Sequence, residues 1–242
     1  ATIEMINIAL SMATRDPKRV KIFTSKDDFS SGITYKSKNS VGILLHLEGA
    51  EALSSNLSEL EQLYNLGLRS LGPVWSRSNI FGHGVPFNFP GSPDSGPGLT
   101  EAGKKLVKKC NEMGILVDLS HMNEAGFWDI ANLSTKPLVA THSNAHALSN
   151  SPRNLTAKQL DAVAETKGVV GLNFATSFIR KDGKRNSDTT AADMIRHLDS
   201  LLEKLGEGGV ALGSDFDGAQ IPSFIQDCSG LPNLIQAMRE AG

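Results

Sequence analysis

Four side chains with catalytic potential, Glu48, His121, His142 and Asp215, each stand at the end of a short apolar run of sequence. A carboxylate and two imidazoles form a ligand set suited to Zn²⁺ or a similar ion. Water at a remaining open position would become a hydroxide nucleophile near neutral pH. The residue types therefore predict a metal-dependent hydrolase, with Glu48, His121 and His142 as the ligands.

Each of these residues also has a purely structural explanation. A single histidine at a strand end is more often fixed by a hydrogen bond than bound to a metal, and Glu48 alone could be favoured at a helix N-terminus. The repetition of such groups at several strand ends is what favours a site. We expect His146, four residues after His142, to play a supporting or structural part, and His197 to lie on the surface. The part played by His46 is left open.

The elements that must position these groups are short β-branched runs alternating with helical patterns. Strands are predicted at residues 41–47, 68–75, 115–119, 138–141, 169–174 and 210–213. Several are almost continuously apolar, which is typical of strands buried on both faces of a parallel sheet. The carboxyl ends of parallel strands share one face, where barrels of this kind carry their catalytic groups.

The helices between these strands have recognisable caps. The predicted N-caps are Thr100, Thr156 and Thr190, and the predicted C-terminal stops are Gly114 and Gly206. The segment Ser58-Glu59-Leu60-Glu61 matches a capping box. Six β-then-α units follow one another without a break, so residues 1–242 are predicted to form a single domain.

Two α/β architectures fit six such units. One is an open doubly wound sheet, and the other is a (β/α)8 TIM-type barrel whose first two strands lie outside this chain. No glycine-rich nucleotide loop follows a strand, which removes the usual sign of nucleotide binding. The Gly- and Pro-rich residues 81–98 interrupt the alternation of strands and helices after the second predicted strand, 68–75. We interpret them as an active-site loop, with a tolerated surface insertion as the alternative.

The composition excludes several classes of protein. Hydrophobic residues make up 40% and charged residues 21% of the chain, as in ordinary globular proteins. Lys and Arg total 24 against 26 Asp and Glu, a net charge of −2, so nucleic acid is not expected as a partner.

Cys110 and Cys228 are too few for a disulfide framework, and Cys110 is expected to be buried. No run is long enough to cross a membrane. We expect a cytoplasmic protein, although a chain that opens at Ala1 without Met leaves a signal peptide open.

Five motifs resemble, in order and spacing, those of the membrane (renal) dipeptidase family, peptidase family M19. They are Leu47-Glu48-Gly49, Asp118-Leu119-Ser120-His121, Thr141-His142-Ser143-Asn144, Pro152-Arg153-Asn154 and Gly213-Ser214-Asp215-Phe216-Asp217-Gly218. The resemblance covers nearly the whole chain, and Trp75-Ser76-Arg77 is similar to bacterial members. It implies a (β/α)8 barrel that binds two zinc ions and hydrolyses dipeptides.

The resemblance also implies a role for each site residue. Glu48 would bridge the two zinc ions, and His121 and His142 would bind the second of them. Arg153 would hold the substrate carboxylate, a task suited to a bidentate guanidinium. Asp215 would contact the substrate and pass a proton from the attacking metal-bound hydroxide to the leaving amine. Trp75 would wall the substrate pocket, where the renal enzyme has a histidine.

The chain departs from the family pattern at the first zinc. No strand of this chain ends in the family's His-x-Asp, so the residues support one zinc fully and the second only through Glu48. The first two barrel strands and the last helices are expected to lie outside the chain. Two alternatives therefore stay open: another amidohydrolase, such as a lactonase or deacylase, and an inactive barrel fragment that serves as a binding module. A homodimer is also expected, as for many family members.

Overall fold

The computed structural model describes residues 1–32 and 40–242. Within these ranges the strands are β1 (Val20–Ile22), β2 (Val41–Ile43), β3 (Leu45–Glu48), β4 (Leu68–Gly72), β5 (Leu116–Val117), β6 (Val139–Ala140), β7 (Val169–Asn173) and β8 (Val210–Gly213). The α-helices are α1 (Thr2–Arg15), α2 (Lys26–Gly32), α3 (Leu60–Asn65), α4 (Glu101–Met113), α5 (Glu124–Leu133), α6 (Ala157–Glu165), α7 (Thr176–Ile179), α8 (Ala191–Leu205) and α9 (Leu231–Ala241). No helix in these ranges is both long and apolar enough to span a bilayer.

The strands β3 to β8 run parallel and neighbour one another in chain order. Strands β3, β4 and β5 form one ladder and β6, β7 and β8 another. A parallel bridge between Asp118 and Val139 joins the two ladders, supported by a 2.8 Å hydrogen bond from Leu119 N to Val139 O. Among the described residues this order shows no reversal, whereas a doubly wound sheet has a switch point in its strand order. The fold is α/β, and among the described residues β3 and β8 each pair on one side only.

The predicted strands differ from the observed ones chiefly at their ends. The run 41–47 divides at Leu44, because β2 pairs with β1 whereas β3 pairs with β4. The strand β1 was not predicted, since three residues carry too little pattern to be recognised. The run 68–75 ends at Gly72, just before Pro73, which has no N–H to donate to a ladder. The run 210–213 is observed as predicted.

Three of the four predicted N-caps are present. Thr100 accepts a 3.1 Å hydrogen bond from Gly103 N, and capping boxes form at Thr156 and Thr190. The capping box predicted at Ser58 is wrong, because α3 begins only at Leu60. The carboxylate of Glu59 instead accepts hydrogen bonds from the backbone and hydroxyl of Ser54, at 3.0 and 2.8 Å. A contact with the preceding turn therefore replaces the helical cap.

Two hydrophobic clusters hold the helices against the strands. The larger contains Phe127, Leu172 and Phe174, all fully buried. The smaller contains Phe81 and Cys110, and burial raises the pKa of the Cys110 thiol to about 12, so the thiol behaves as a small apolar group. These clusters lie between the sheet and its helices and leave the carboxyl ends of the strands free for polar side chains.

Candidate metal centre and active site

The three predicted metal ligands converge from three strand ends. Glu48 is the last residue of β3, while His121 and His142 follow β5 and β6. Glu48 Oε1 lies 3.0 Å from His121 Nε2 and 3.1 Å from His142 Nε2, and the two Nε2 atoms lie 3.1 Å apart. Bonds of about 2.0–2.1 Å to a tetrahedral ion set ligand atoms roughly 3.3 Å apart. The triangle thus fits a single small cation.

The hydrogen bonds behind the histidines set which nitrogen faces the centre. Thr141 Oγ1 donates to Asp118 Oδ2 at 2.6 Å and lies 2.8 Å from His142 Nδ1. Since the single hydroxyl hydrogen is used for the carboxylate, Nδ1 must carry a proton and donate it to Thr141. Ser76 Oγ lies 2.7 Å from His121 Nδ1 and can accept in the same way. Both Nε2 lone pairs then point at Glu48.

The charges of Glu48 and His121 suit a bound cation. Burial lowers the pKa of His121 to about 3, so its imidazole is neutral near neutral pH. The close contacts with His121 and His142 hold the pKa of Glu48 well below its usual range, so Glu48 is an anion. One proton could satisfy one of the three contacts, whereas a metal ion satisfies all three at once. The donor set, two imidazoles and a carboxylate, is one that zinc accepts.

Asp118 is a site residue that the sequence analysis quoted in a motif without giving it a role. It is 1% exposed, and its Oδ1 accepts from Ser120 N at 3.0 Å and Thr141 N at 2.8 Å. Burial alone would raise its pKa, but the neighbouring His142 and His46 and the bonds from Thr141 together keep the pKa below its ordinary value. The charged carboxylate therefore orients His142 through Thr141, as carboxylates behind metal-binding histidines commonly do.

Two other histidines, His46 and His146, have structural roles. His46 Nδ1 lies 2.8 Å from Ser70 Oγ, and its Nε2 lies 3.7 Å from Asp118, so it packs beside the orienting carboxylate. His146 bonds Gly91 O at 2.9 Å, a structural contact of the kind expected.

The expectation that His197 lies on the surface is wrong. It is 1% exposed, accepts from Ala145 N at 3.2 Å and bonds Ile179 O at 3.0 Å. Residue 197 falls three positions after Met194 and four before Leu201, on the buried stripe of α8. Its burial lowers the pKa of the imidazole to about 4.

A main cavity of about 510 Å³ opens beside the centre and is lined by Glu48, His121, Trp75, Phe87 and Asp215, among others. The ring centroid of Trp75 lies 5.2 Å from that of Phe87 and 5.8 Å from that of His121. Phe87 belongs to the loop 81–98, which therefore forms part of the cavity wall. This position favours the active-site interpretation of the loop over a surface insertion.

Asp215 lines the same cavity but lies outside the ligand triangle. Its backbone has φ +57, in the left-handed region, and its Oδ2 accepts a 3.1 Å hydrogen bond from Asn173 Nδ2. A Cβ at Gly218 would lie 2.3 Å from Asp215 Oδ1, so only glycine leaves room for this carboxylate. Unusual backbone held in place by packing is a common feature of functional sites.

Arg153 lies behind the cavity rather than on its wall. It is 3% exposed, donates from Nη2 to His142 O at 3.0 Å, and its Nε has no partner in the described part of the chain. Its guanidinium carbon lies 5.3 Å from the ring centroid of Phe178, which does line the cavity. Burial lowers the pKa of Arg153 to about 10, which leaves it a cation at neutral pH.

Comparison with known proteins identifies this arrangement. The profile of the membrane dipeptidase family, peptidase family M19, matches residues 1–242. The chain belongs to the membrane dipeptidase family. The resemblance predicted from the five motifs is confirmed, and the protein is a metallo-dipeptidase by family, a hydrolase of peptide bonds.

Three relatives show how far this membership extends. A metallo peptidase from Rhodobacter sphaeroides, solved with a phosphinate mimic of the dipeptide L-Ala-D-Ala, is 52% identical with a TM-score of 0.95 over 99% of this chain and 68% of its own. An uncharacterized protein in the pqqA 5′ region of Klebsiella pneumoniae is 50% identical over 84% of this chain and 74% of its own length. An uncharacterized dipeptidase of Schizosaccharomyces pombe is 31% identical over 97% of this chain and 55% of its own length. This member of the dipeptidase family therefore spans part of the length of each relative.

The orienting role of Asp118 in the dipeptidase centre can be tested by metal affinity. We expect Asp118→Asn to raise the dissociation constant for zinc by about 10–100-fold, because the Thr141 hydroxyl loses its charged acceptor and His142 its fixed orientation. Competition with a chromophoric chelator measures this constant. Asp129→Asn is the matched control, since Asp129 also accepts a backbone hydrogen bond, from Leu99 N at 2.7 Å, but lies outside the metal group. Equal zinc affinity in Asp118→Asn and the wild type would remove Asp118 from the centre.

Proposed function

We propose that this protein hydrolyses the peptide bond of dipeptides with zinc held by Glu48, His121 and His142. The observation that carries the proposal is the triangle of three acceptor atoms, 3.0–3.1 Å apart, with lone pairs directed at one another. When bound, zinc would polarise the substrate carbonyl and lower the pKa of water. Family membership supplies the reaction class, and the Nε2 atoms of His121 and His142 supply lone pairs for the metal.

A second zinc is part of this proposal. Both histidine contacts of Glu48 are made by Oε1, and the side chain is 41% exposed, so Oε2 is free to reach another ion. Within residues 1–32 and 40–242, one group of three metal-binding side chains comes together, and it is the group already described. Glu48 is thus the residue through which this chain would contribute to a two-zinc centre.

Other residues in and behind the main cavity would bind the substrate and transfer the proton. Asp215 would accept the proton of the attacking water and pass it to the leaving amine, with its carboxylate oriented by Asn173. Arg153 would bind the substrate carboxylate, a role favoured by its buried charge and its unpartnered Nε. The guanidinium lies close to the cavity wall, since its carbon is 5.3 Å from the ring centroid of Phe178, which lines the cavity. Trp75 and Phe87 would exclude water from the bound peptide.

We further propose that residues 1–242 are a single domain within a (β/α)8 barrel, in which β3 to β8 are strands three to eight. The support is the parallel order of these strands, the helix that follows each, and the convergence of Glu48, His121, His142 and Asp215 at their carboxyl ends. A homodimer and a cytoplasmic location stay predictions.

Removal of the metal tests the proposed function. We expect dialysis against a chelator to abolish hydrolysis of L-Ala-L-Ala and L-Ala-D-Ala, and added Zn²⁺ to restore it. We also expect the metal-free protein to unfold at a lower temperature, because zinc at 100 times its dissociation constant adds about 2.7 kcal/mol of stability. Turnover with less than one zinc per ten chains would contradict the proposal. Hydrolysis of lactones or N-acyl amino acids, with dipeptides left intact, would replace it by another amidohydrolase.

A further inference from the structure

A second, smaller pocket adjoins the main cavity. This side pocket has a volume of about 110 Å³, several times the roughly 30 Å³ that one water occupies in the liquid. It shares with the main cavity the residues Phe87, Ser177, Phe178 and Arg185. Because four residues form a common wall, a group that branches from a molecule in the main cavity can enter the side pocket. Its size suits a short side chain rather than a second amino acid.

The two compartments share Arg185 but differ in the carboxylates on their walls. The main cavity carries three carboxylates, those of Glu48, Asp215 and Asp217. No carboxylate lines the side pocket, where Arg185 is the one charged group among the described residues. The hydroxyls of Ser151 and Ser177 are further polar groups on its wall. Arg185, on the wall that both compartments share, can therefore attract a negatively charged group into the side pocket, where no carboxylate of the described residues opposes it.

Arg185 is available for such a group. It is exposed, and it makes no hydrogen bond or ion pair with any residue in the described ranges. The nearby carboxylate of Asp182 is already taken by Arg180, through contacts of 2.8 and 2.6 Å. The backbone next to Arg185 is anchored, since Asn186 N donates to Thr176 Oγ1 at 3.3 Å. An unpaired guanidinium is thus presented from a fixed backbone.

Aromatic side chains form much of the wall of the side pocket. The rings of Phe87 and Phe178 stack with centroids 6.2 Å apart and planes 9° from parallel. The ring of Phe89 packs directly on Gly183. A Cβ at Gly183 would lie 2.3 Å from that ring, and the backbone of Gly183 has φ +66. These rings offer apolar contact to the methylene groups of a side chain whose charged end reaches Arg185.

We propose that the side pocket receives the acidic side chain of an aspartate or glutamate residue of the dipeptide, paired with Arg185. This inference rests on the proposed dipeptidase function and adds a substrate class to it. It leaves the α-carboxylate of the substrate to Arg153, so that two cations recognise two different carboxylates.

Paired substrates that differ only in charge test the proposal. The value of kcat/KM is measured for Ala-Asp against Ala-Asn and for Asp-Ala against Asn-Ala, with the C-terminal residue in both configurations. We expect the wild type to favour the acidic member of at least one pair by roughly fivefold, as a charge-assisted contact on a partly exposed arginine allows. Arg185→Gln should bring that ratio to about one, and Arg185→Lys should keep part of it.

Control measurements distinguish a failure of the side-pocket proposal from a failure of the proposed dipeptidase function. Lys184→Gln removes a neighbouring exposed cation that lies outside both pockets, and its ratio should equal that of the wild type. Equal rates on Asp and Asn dipeptides in the wild type would overturn the side-pocket proposal while hydrolysis of Ala-Ala upheld the dipeptidase. An Asp/Asn ratio unchanged by Arg185→Gln would overturn it as well. Failure to hydrolyse any dipeptide would instead overturn the proposed function itself.

Discussion

Replacement of Glu48 by glutamine is expected to remove bound zinc and to lower kcat/KM on Ala-Ala by about 10³-fold or more. Glu48 Oε1 contacts both histidines, so the change takes the only anion out of the ligand triangle. A metal ion stabilises developing charge by several kcal/mol, and each 1.36 kcal/mol corresponds to a factor of ten in rate. Zinc content by mass spectrometry and steady-state kinetics measure the two effects.

The same variant makes an opposite prediction for the metal-free protein. Three acceptor atoms repel one another when no cation is present, and the amide of glutamine can donate a hydrogen bond to an imidazole Nε2. The metal-free Glu48→Gln protein should therefore unfold at a temperature equal to or above that of the metal-free wild type. Glu51→Gln is the control, since Glu51 pairs with Arg77 at 2.9 Å and lies outside the metal group. Full zinc content in Glu48→Gln, or a lower unfolding temperature without metal, would contradict this account of the centre.

Replacement of Asp215 by asparagine is expected to lower kcat by about 10²–10⁴-fold, the range that a positioned acid–base group contributes. Zinc content should be unchanged, because Asp215 stands outside the ligand triangle. Asparagine tolerates the left-handed backbone at φ +57 as aspartate does, so the loop should keep its shape. The loss would therefore report on proton transfer rather than on folding.

Asp217→Asn provides the matched comparison for Asp215. Asp217 also lines the main cavity and has a left-handed backbone, at φ +65, but it lacks the contact with Asn173. We expect Asp217→Asn to lower kcat by less than about tenfold, which is a smaller loss than that expected on removing a positioned acid–base group. If kcat of Asp215→Asn stayed within a factor of about three of the wild type, the proton-transfer role would be lost.

Most of the metal centre could be predicted because its residues lie at strand ends. Glu48, His121 and His142 each close an apolar run, and parallel strands bring such ends to one face whatever the details of packing. Asp118 was harder to assign, since a buried carboxylate directly after a strand has no local pattern that distinguishes a supporting residue from a ligand. Its function depends on Thr141 and His142, which lie more than twenty positions away in the chain.

The sequence by itself determined where strands β3 to β8 lie, the caps at Thr100, Thr156 and Thr190, the family, and the residues that could bind a metal. These features follow from interactions within a few residues or from motifs in fixed order. Tertiary structure alone decided that His197 is buried, that Arg153 is buried beside Phe178, that Glu59 turns back to Ser54, and that Arg185 lines a side pocket. Burial and charge pairing depend on atoms that become neighbours only when distant segments pack together, and local spacing carries no record of them.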